Sequence, residues 1–207
     1  MFNAQPFAAP LGLDVEDAKQ AMRKHIRATR LSRARKDHQE ANSALTQKVL
    51  EVCEGAQSVC VYVSVDSEPS TLEALEALRE RGQRVLVPVL GPGLARTWGE
   101  YRGAEDLQLR NPGRPPEPSG EVLPAEALEA CQVIITPALA VDAAGNRLGQ
   151  GGGWYDRVLR HAHPDARVYA MVFDDELAPL GVLPTEDHDL PVHAVITPTR
   201  VVRVRRG

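Results

Sequence analysis

The stretch SVCVYVSVDSEPSTLEALEALRERGQRVLVPVL, residues 58–90, changes its hydrophobic period twice. SVCVYVSV at 58–65 is a short apolar run rich in β-branched residues, as a buried strand requires, and RVLVPVL at 84–90 is another. Between them STLEALEALRERG is helical by periodicity and ends at Gly82, a residue that stops helices. The unit is strand, helix, strand.

The same arrangement recurs downstream. QVIITPAL at 132–139 and RVYAMVF at 167–173 flank a glycine-rich stretch and a short helix over about 155–161, and HAVIT at 193–197 reads as a last strand. Upstream, Ala18, Met22, Ile26 and Thr29 recur at helical spacing over 14–29, with acids first and bases last as the helix dipole favours, and a second helix follows over 34–53. The spacing predicts an α/β fold: a three-layer α/β/α domain with a mostly parallel central sheet and a helical N-terminus, spanning 1–207 as one unit. Residues 91–121, rich in Pro, Gly and Arg, are expected to form a long loop or partial hairpin.

Bulk properties exclude several classes. With 24 basic and 28 acidic residues the net charge is −4, which gives no general reason to expect nucleic acid or an anionic membrane as a partner. An RNA-binding role for the basic amino-terminal helices conflicts with that acidic total. The apolar run at 133–141 is broken by Thr136 and Pro137 and is far short of a membrane span. MFNAQPFAAPLGL, at the start, lacks the basic leader and apolar stretch of a secretory signal. Cys53, Cys60 and Cys131 have no C-x-x-C spacing, so reduced thiols in a cytoplasmic protein are expected, and the protein is separately expected to be a monomer. His161 and His163, two apart, cannot share a helix face and suggest no metal site.

RLGQGGGWYD, Arg147 to Asp156, concentrates four glycines where a strand hands over to a helix, the edge at which open α/β sheets bind ligands. Glycines let backbone N–H groups converge on one point, and Arg147 adds a planar cationic fork, so the stretch suits a phosphate. A bare turn is the alternative for glycines alone; the flanking Arg, Tyr and Asp tip the balance toward a ligand. No Lys-Ser or Lys-Thr follows, which rejects a P-loop, and Trp154 stands where a dinucleotide fingerprint needs its third glycine.

The string N-R-L-G-x-G-G-G-aromatic-Y-D from Asn146 to Asp156 closely resembles the signature of the 5-formyltetrahydrofolate cyclo-ligases. KQAMRK at 19–24 resembles that family's amino-terminal Lys-x-x-x-Arg, SVDSEPST at 64–71 its strand-end segment with a Glu, and EDHDLPVHAVIT at 186–197 its carboxyl-terminal His-Asp segment. The resemblance implies ATP-driven closure of 5-formyltetrahydrofolate to 5,10-methenyltetrahydrofolate with release of ADP and phosphate, through a phosphorylated formyl group. It implies that Arg147, Tyr155 and Asp156 carry the chemistry. It also implies that Lys19, Arg23, Arg147, Leu148, Gly149, Gln150, Gly151, Gly152, Gly153, Trp154 and Tyr155 bind ATP. Glu68, Trp154 and Tyr155 would hold the folate, and Asp156 with Asp189 would hold Mg2+.

Each residue has a plainer reading as well. Lys19 and Arg23 share a helix face that could simply be solvated, Asp156 could favour the first turn of its helix, and Asp189 could be an ordinary loop acid. Glu68 begins a plain turn and helix start, and Trp154 and Tyr155 could pack a helix onto the sheet. Two departures from the family pattern stand out. Trp154 replaces the usual Tyr or Phe, and Gly152 stands where some relatives carry Lys.

Overall fold

The computed structural model describes Phe7 and residues 14–91, 95–110, 113–186 and 189–204. The amino-terminal stretch before Asp14 apart from Phe7, residues 92–94 and 111–112 of the 91–121 region, and Asp187 and His188 of the carboxyl-terminal block lie outside the described residues.

In chain order the elements are α1 (Val15–Ser32), α2 (Arg35–Val52), β1 (Ser58–Val61), α3 (Leu72–Glu80), β2 (Arg84–Leu90) and β3 (Arg96–Glu100). The short strands β4 (Leu107–Gln108) and β5 (Glu117–Pro118) precede β6 (Val133–Pro137), β7 (Ala140–Asp142) and β8 (Arg147–Leu148). Then come α4 (Trp154–Val158), β9 (Arg167–Met171), β10 (Leu177–Ala178), β11 (Ala194–Ile196) and β12 (Val201–Arg203).

The main sheet runs β12-β11-β9-β6-β1-β2-β3, parallel from β11 to β2 and antiparallel at both edges. The chain moves one way from β1 to β2 and the other way from β6 to β9 and β11. Since parallel crossovers are right-handed, α3 falls on one face and α4 on the other. α2 packs beside α3, and the 3-10 turn Ala125–Ala130 packs against the turn Leu159–His161 that follows α4. β1, β6 and β9 are almost wholly buried, β2 is buried at Val85, Leu86, Val87 and Val89, and Leu75, Leu78, Ile134 and Val141 belong to the continuous core around them.

Two features differ from the sequence reading, and the expected partial hairpin after β2 is found as a paired strand. The apolar run at 132–139 ends its main-sheet pairing at Pro137, and β7 and β8 follow as a hairpin, paired with β10 in a separate three-stranded sheet. Its turn is built on Asp142, whose carboxylate accepts from the backbone N–H of Ala144 and Asn146 and from the Asn146 side chain. The 91–121 region contributes a true edge strand, β3, antiparallel to β2. β12 adds an antiparallel edge that the short run VVRV did not announce.

α1 lies over the small sheet. Met22 and Ile26 pack with Leu139, Ala140, Leu148 and Ala178 in a cluster distinct from the main core. This contact seats the helix beside the glycine-rich stretch that leaves β8. Among the described residues no helix is long and apolar enough to cross a membrane.

Ile26→Ala removes the centre of that contact. It is expected to cost about 2–5 kcal/mol, read as a lowered urea midpoint with an unchanged denaturant slope.

Candidate active site

Chain direction reverses between β1 and β6, and in such sheets a crevice opens beyond the carboxyl ends of the strands at that point. Pro88 helps to open it. β1 pairs with β2 only as far as Cys60 opposite Leu86, so Pro88, which has no N–H to give, falls where β1 has already left the ladder. A cavity of about 640 Å³ lies there. Its walls come from the segment after β1 (Tyr62 to Glu68), the end of β2 (Pro88 to Leu90), the end of β6 (Pro137, Leu139) and the stretch from Arg147 to Asp156.

Glu68, Arg147, Gly149, Gln150, Gly152, Gly153, Trp154, Tyr155 and Asp156 all line this space. Leu148, a core residue under α1, and Gly151, which faces Arg23, do not. The amides of Gly151, Gly152 and Gly153 have no hydrogen-bond partner among the described residues, so they are available to a ligand. α4 has only five residues, so its aligned peptide dipoles are few; the free amides and Arg147, more than the helix end, suit this loop to an anion.

The Arg147 guanidinium is almost fully shielded from solvent and donates to Asp156 Oδ1 at 2.5 Å, while its Nε has no partner. Asp156 Oδ1 also accepts from the backbone N–H of Leu190 at 3.4 Å, which ties the loop to the carboxyl-terminal segment. Tyr155 lines the cavity, its hydroxyl is buried with no hydrogen-bond partner among the described residues, and burial pushes that phenol well above its usual range. It is therefore a neutral donor. Trp154 stands edge-on to Trp98 of β3 at 5.0 Å and to Tyr155 at 4.8 Å, a packing that fixes the aromatic wall.

Across the cavity, Glu68 accepts from Gln150 Nε2 at 3.0 Å and from the Val65 N–H at 3.2 Å. Burial raises its carboxyl above the usual range, and these two hydrogen bonds only partly offset that. Gln150 in turn accepts from Arg27 through its side-chain oxygen, so one side chain links α1, the glycine loop and the pterin-side acid expected at Glu68.

Lys19 and Arg23 are 6% and 5% exposed, which removes the solvated-face reading. They stand behind the loop and do not line the cavity. Arg23 donates to the Gly149 carbonyl at 3.0 Å and to Glu16, and Lys19 donates to Glu186 at 2.7 Å and Asp189 at 3.0 Å. Burial alone would lower the Lys19 ammonium, but these two acids outweigh it and hold it above its usual value. Asp189 also accepts from the Glu186 N–H, so its carboxylate is engaged with protein groups. Asp156 keeps its Oδ2 without a hydrogen bond among the described residues.

For a divalent cation that arrives with a nucleotide, one carboxylate plus phosphates and water suffices, and Asp156 fits that role. Asp189 would have to release Lys19 first. Among the described residues no three His, Cys, Asp or Glu side chains converge into a ready cage. A covalent thiol route has no support: burial pushes Cys53 up to about 12, Cys131 to about 11 and Cys60 well above its usual value.

Sequence reasoning missed four cavity arginines. Arg30 is 1% exposed, holds Glu176 through two hydrogen bonds of 2.7 and 2.8 Å, and donates to the Ala138 carbonyl. The signal was present, since Arg30 continues the line of Met22 and Ile26 at a spacing of four. Arg27, Arg96 and Arg114 also line the cavity, the latter two from a region without periodicity.

A model of the 5-formyltetrahydrofolate cyclo-ligase family matches residues 15–198. The chain is 45% identical over 153 residues to the 5-formyltetrahydrofolate cyclo-ligase of Mycolicibacterium smegmatis, covering 70% of this chain and 75% of the relative. It is 36% identical over 149 residues to the enzyme of that name from Escherichia coli K12, covering 70% and 80%. The solved structure of Aquifex aeolicus 5,10-methenyltetrahydrofolate synthetase has the same fold, with a TM-score of 0.75 at 22% identity over 91% of this chain and 94% of that one.

Two glycine substitutions separate fold from ligand. Gly151 has φ +106°, so Gly151→Ala is expected to cost about 1–3 kcal/mol in urea unfolding. A Cβ on Gly152 meets nothing within 4 Å, so Gly152→Ala is expected to leave stability unchanged while weakening anion binding to the loop, measured as a raised nucleotide Kd.

Proposed function

This chain belongs to the 5-formyltetrahydrofolate cyclo-ligase family, and on that premise we propose that it closes 5-formyltetrahydrofolate to 5,10-methenyltetrahydrofolate at the expense of ATP. One observation carries the reading: a single cavity is lined both by the glycine loop with Arg147 and by Glu68, so two substrates can meet in it.

A formamide oxygen is a poor leaving group, and the proposed chemistry replaces it with phosphate. The formyl oxygen attacks the γ-phosphorus, the bond to the β-phosphate oxygen breaks, and ADP leaves. The folate's neighbouring nitrogen then attacks the imino phosphate carbon, loses its proton, and phosphate departs with the former formyl oxygen. Attacker and electrophile belong to one molecule, so the protein's work is positioning and charge stabilisation.

The loop amides and the Arg147 guanidinium would take the phosphate oxygens. The neutral Tyr155 hydroxyl would donate to a phosphate or formyl oxygen, and with Trp154 it would wall the folate. Lys19 and Arg23 would add positive potential from behind the loop, and Arg23 fixes its path through the Gly149 carbonyl. Glu68 would accept from the amino-pyrimidine edge, exchanging the Gln150 amide for the substrate's N–H groups. Mg2+ held by Asp156, with Asp189 joining once freed, would neutralise part of the triphosphate charge.

The direct test is purified protein mixed with 5-formyltetrahydrofolate and MgATP, followed by ultraviolet absorbance of the methenyl product. ATP-dependent growth of that band is expected; none with well-folded protein refutes the reading. Arg147→Ala should slow turnover by about a hundredfold or more, and a near-normal rate would remove it from the site. Because burial raises the Glu68 carboxyl, its ionised form disappears at a higher pH than that of an ordinary glutamate. The folate KM should therefore rise as pH falls through that titration while the ATP KM does not, and Glu68→Gln should erase the inflection.

A further inference from the structure

Arg27, Arg30, Arg96, Arg114 and Arg147 line the cavity. Three of these guanidinium groups already have partners: Arg27 holds Gln150, Arg30 holds Glu176, and Arg147 holds Asp156. Arg96 and Arg114 make no ion pair or side-chain hydrogen bond among the described residues, and the Arg96 Nε is fully shielded with nothing to donate to.

A guanidinium charge on a cavity wall without a protein counter-charge is left to water or to a bound anion. Among the described residues no acid stands within ion-pair distance of either, Asp66 on the cavity wall included. Glu117, which also lines the cavity, accepts from the Leu90 N–H at 2.8 Å and lies 3.6 Å from Arg110, so its charge is already balanced.

The position of Arg96 follows from strand register. It pairs with Leu90, the last residue of β2, and stands two residues from Trp98, so both side chains project from the same face of β3. Trp98 abuts Trp154 on the cavity wall. β3 is two strands away from β1, about 10 Å across the sheet, and Glu68 follows β1. Glu68 after β1, the apolar floor of Val89 and Leu90 on β2, and Arg96 on β3 thus follow one another across the sheet along the cavity wall.

We infer that Arg96 and Arg114 form a carboxylate subsite that receives the glutamyl tail of the folate. The inference rests on the folate reading above. A reduced folate offers N–H donors at its pterin edge, an apolar benzoyl spacer, and carboxylates at its other end, the same sequence as Glu68, the apolar floor and the two arginines. Arg96 supplies the planar fork that a carboxylate accepts in two parallel hydrogen bonds. Arg114, exposed at the rim, can follow a tail that leaves toward solvent.

Calorimetry on the full chain compares 5-formyltetrahydrofolate with its tail-free 5-formyltetrahydropteroyl methylamide. The wild type should bind the tailed compound about ten- to a hundredfold more tightly. Arg96→Gln with Arg114→Gln should abolish that preference, binding both compounds as the wild type binds the tail-free one, with ATP affinity unchanged. Lys at both positions should restore part of the preference. A wild type without preference, a double variant that keeps it, or a double variant that loses ATP affinity instead would each overturn the subsite. Normal turnover without a tail preference would overturn the subsite alone, whereas no binding and no methenyl product from the wild type would remove the folate reading as well. An unchanged urea midpoint of the double variant keeps a loss of binding from being a loss of fold.

Discussion

The site depends on one topological constraint: β1 and β6 are neighbours whose chains then travel in opposite directions. Both strands point the same way, so the segments leaving their carboxyl ends must diverge, and no helix can close over the gap from either side. Glu68 is delivered to one bank and the glycine loop to the other. A sheet wound in one direction would cover this edge with a crossover, and the same residues would have no shared space.

The second requirement is support for a loop that has few contacts of its own. α1 provides it with a face on which apolar residues and bases alternate in role: Met22 and Ile26 bury against the small sheet, while Lys19, Arg23 and Arg30 reach the loop, the carboxyl-terminal segment and the buried Glu176. Buried ion pairs of this kind stabilise little relative to apolar packing, but removing one partner strands a charge. Their effect here is to fix positions. Arg30 pins the chain at Ala138, Arg23 at Gly149, and Lys19 at Asp189, three points around the entrance to one crevice.

Much of this was legible in the sequence. The period changes across 58–90 fixed β1, α3 and β2, with β2 at the expected residues, and the glycine stretch with its flanking Arg, Tyr and Asp marked the cavity wall. The β7–β8 hairpin was hidden because the apolar run continues from Val133 through Val141 with only Thr136 and Pro137 to mark where the main sheet ends. Periodicity records burial, and both halves of that run are buried. Arg30 shared the spacing of Met22 and Ile26 but was masked by the many bases around it. Arg96 and Arg114 carried no signal, since what singles them out is the lack of a partner among the described residues in three dimensions.

The central claim is that the nucleotide's terminal phosphoryl group passes to the formyl oxygen inside this crevice. It is tested most directly by carrying out the reaction with 5-formyltetrahydrofolate labelled with heavy oxygen in the formyl group and weighing the inorganic phosphate formed. One labelled oxygen per phosphate is the expected result. Unlabelled phosphate formed in step with methenyl product, with the label found in water, would contradict it.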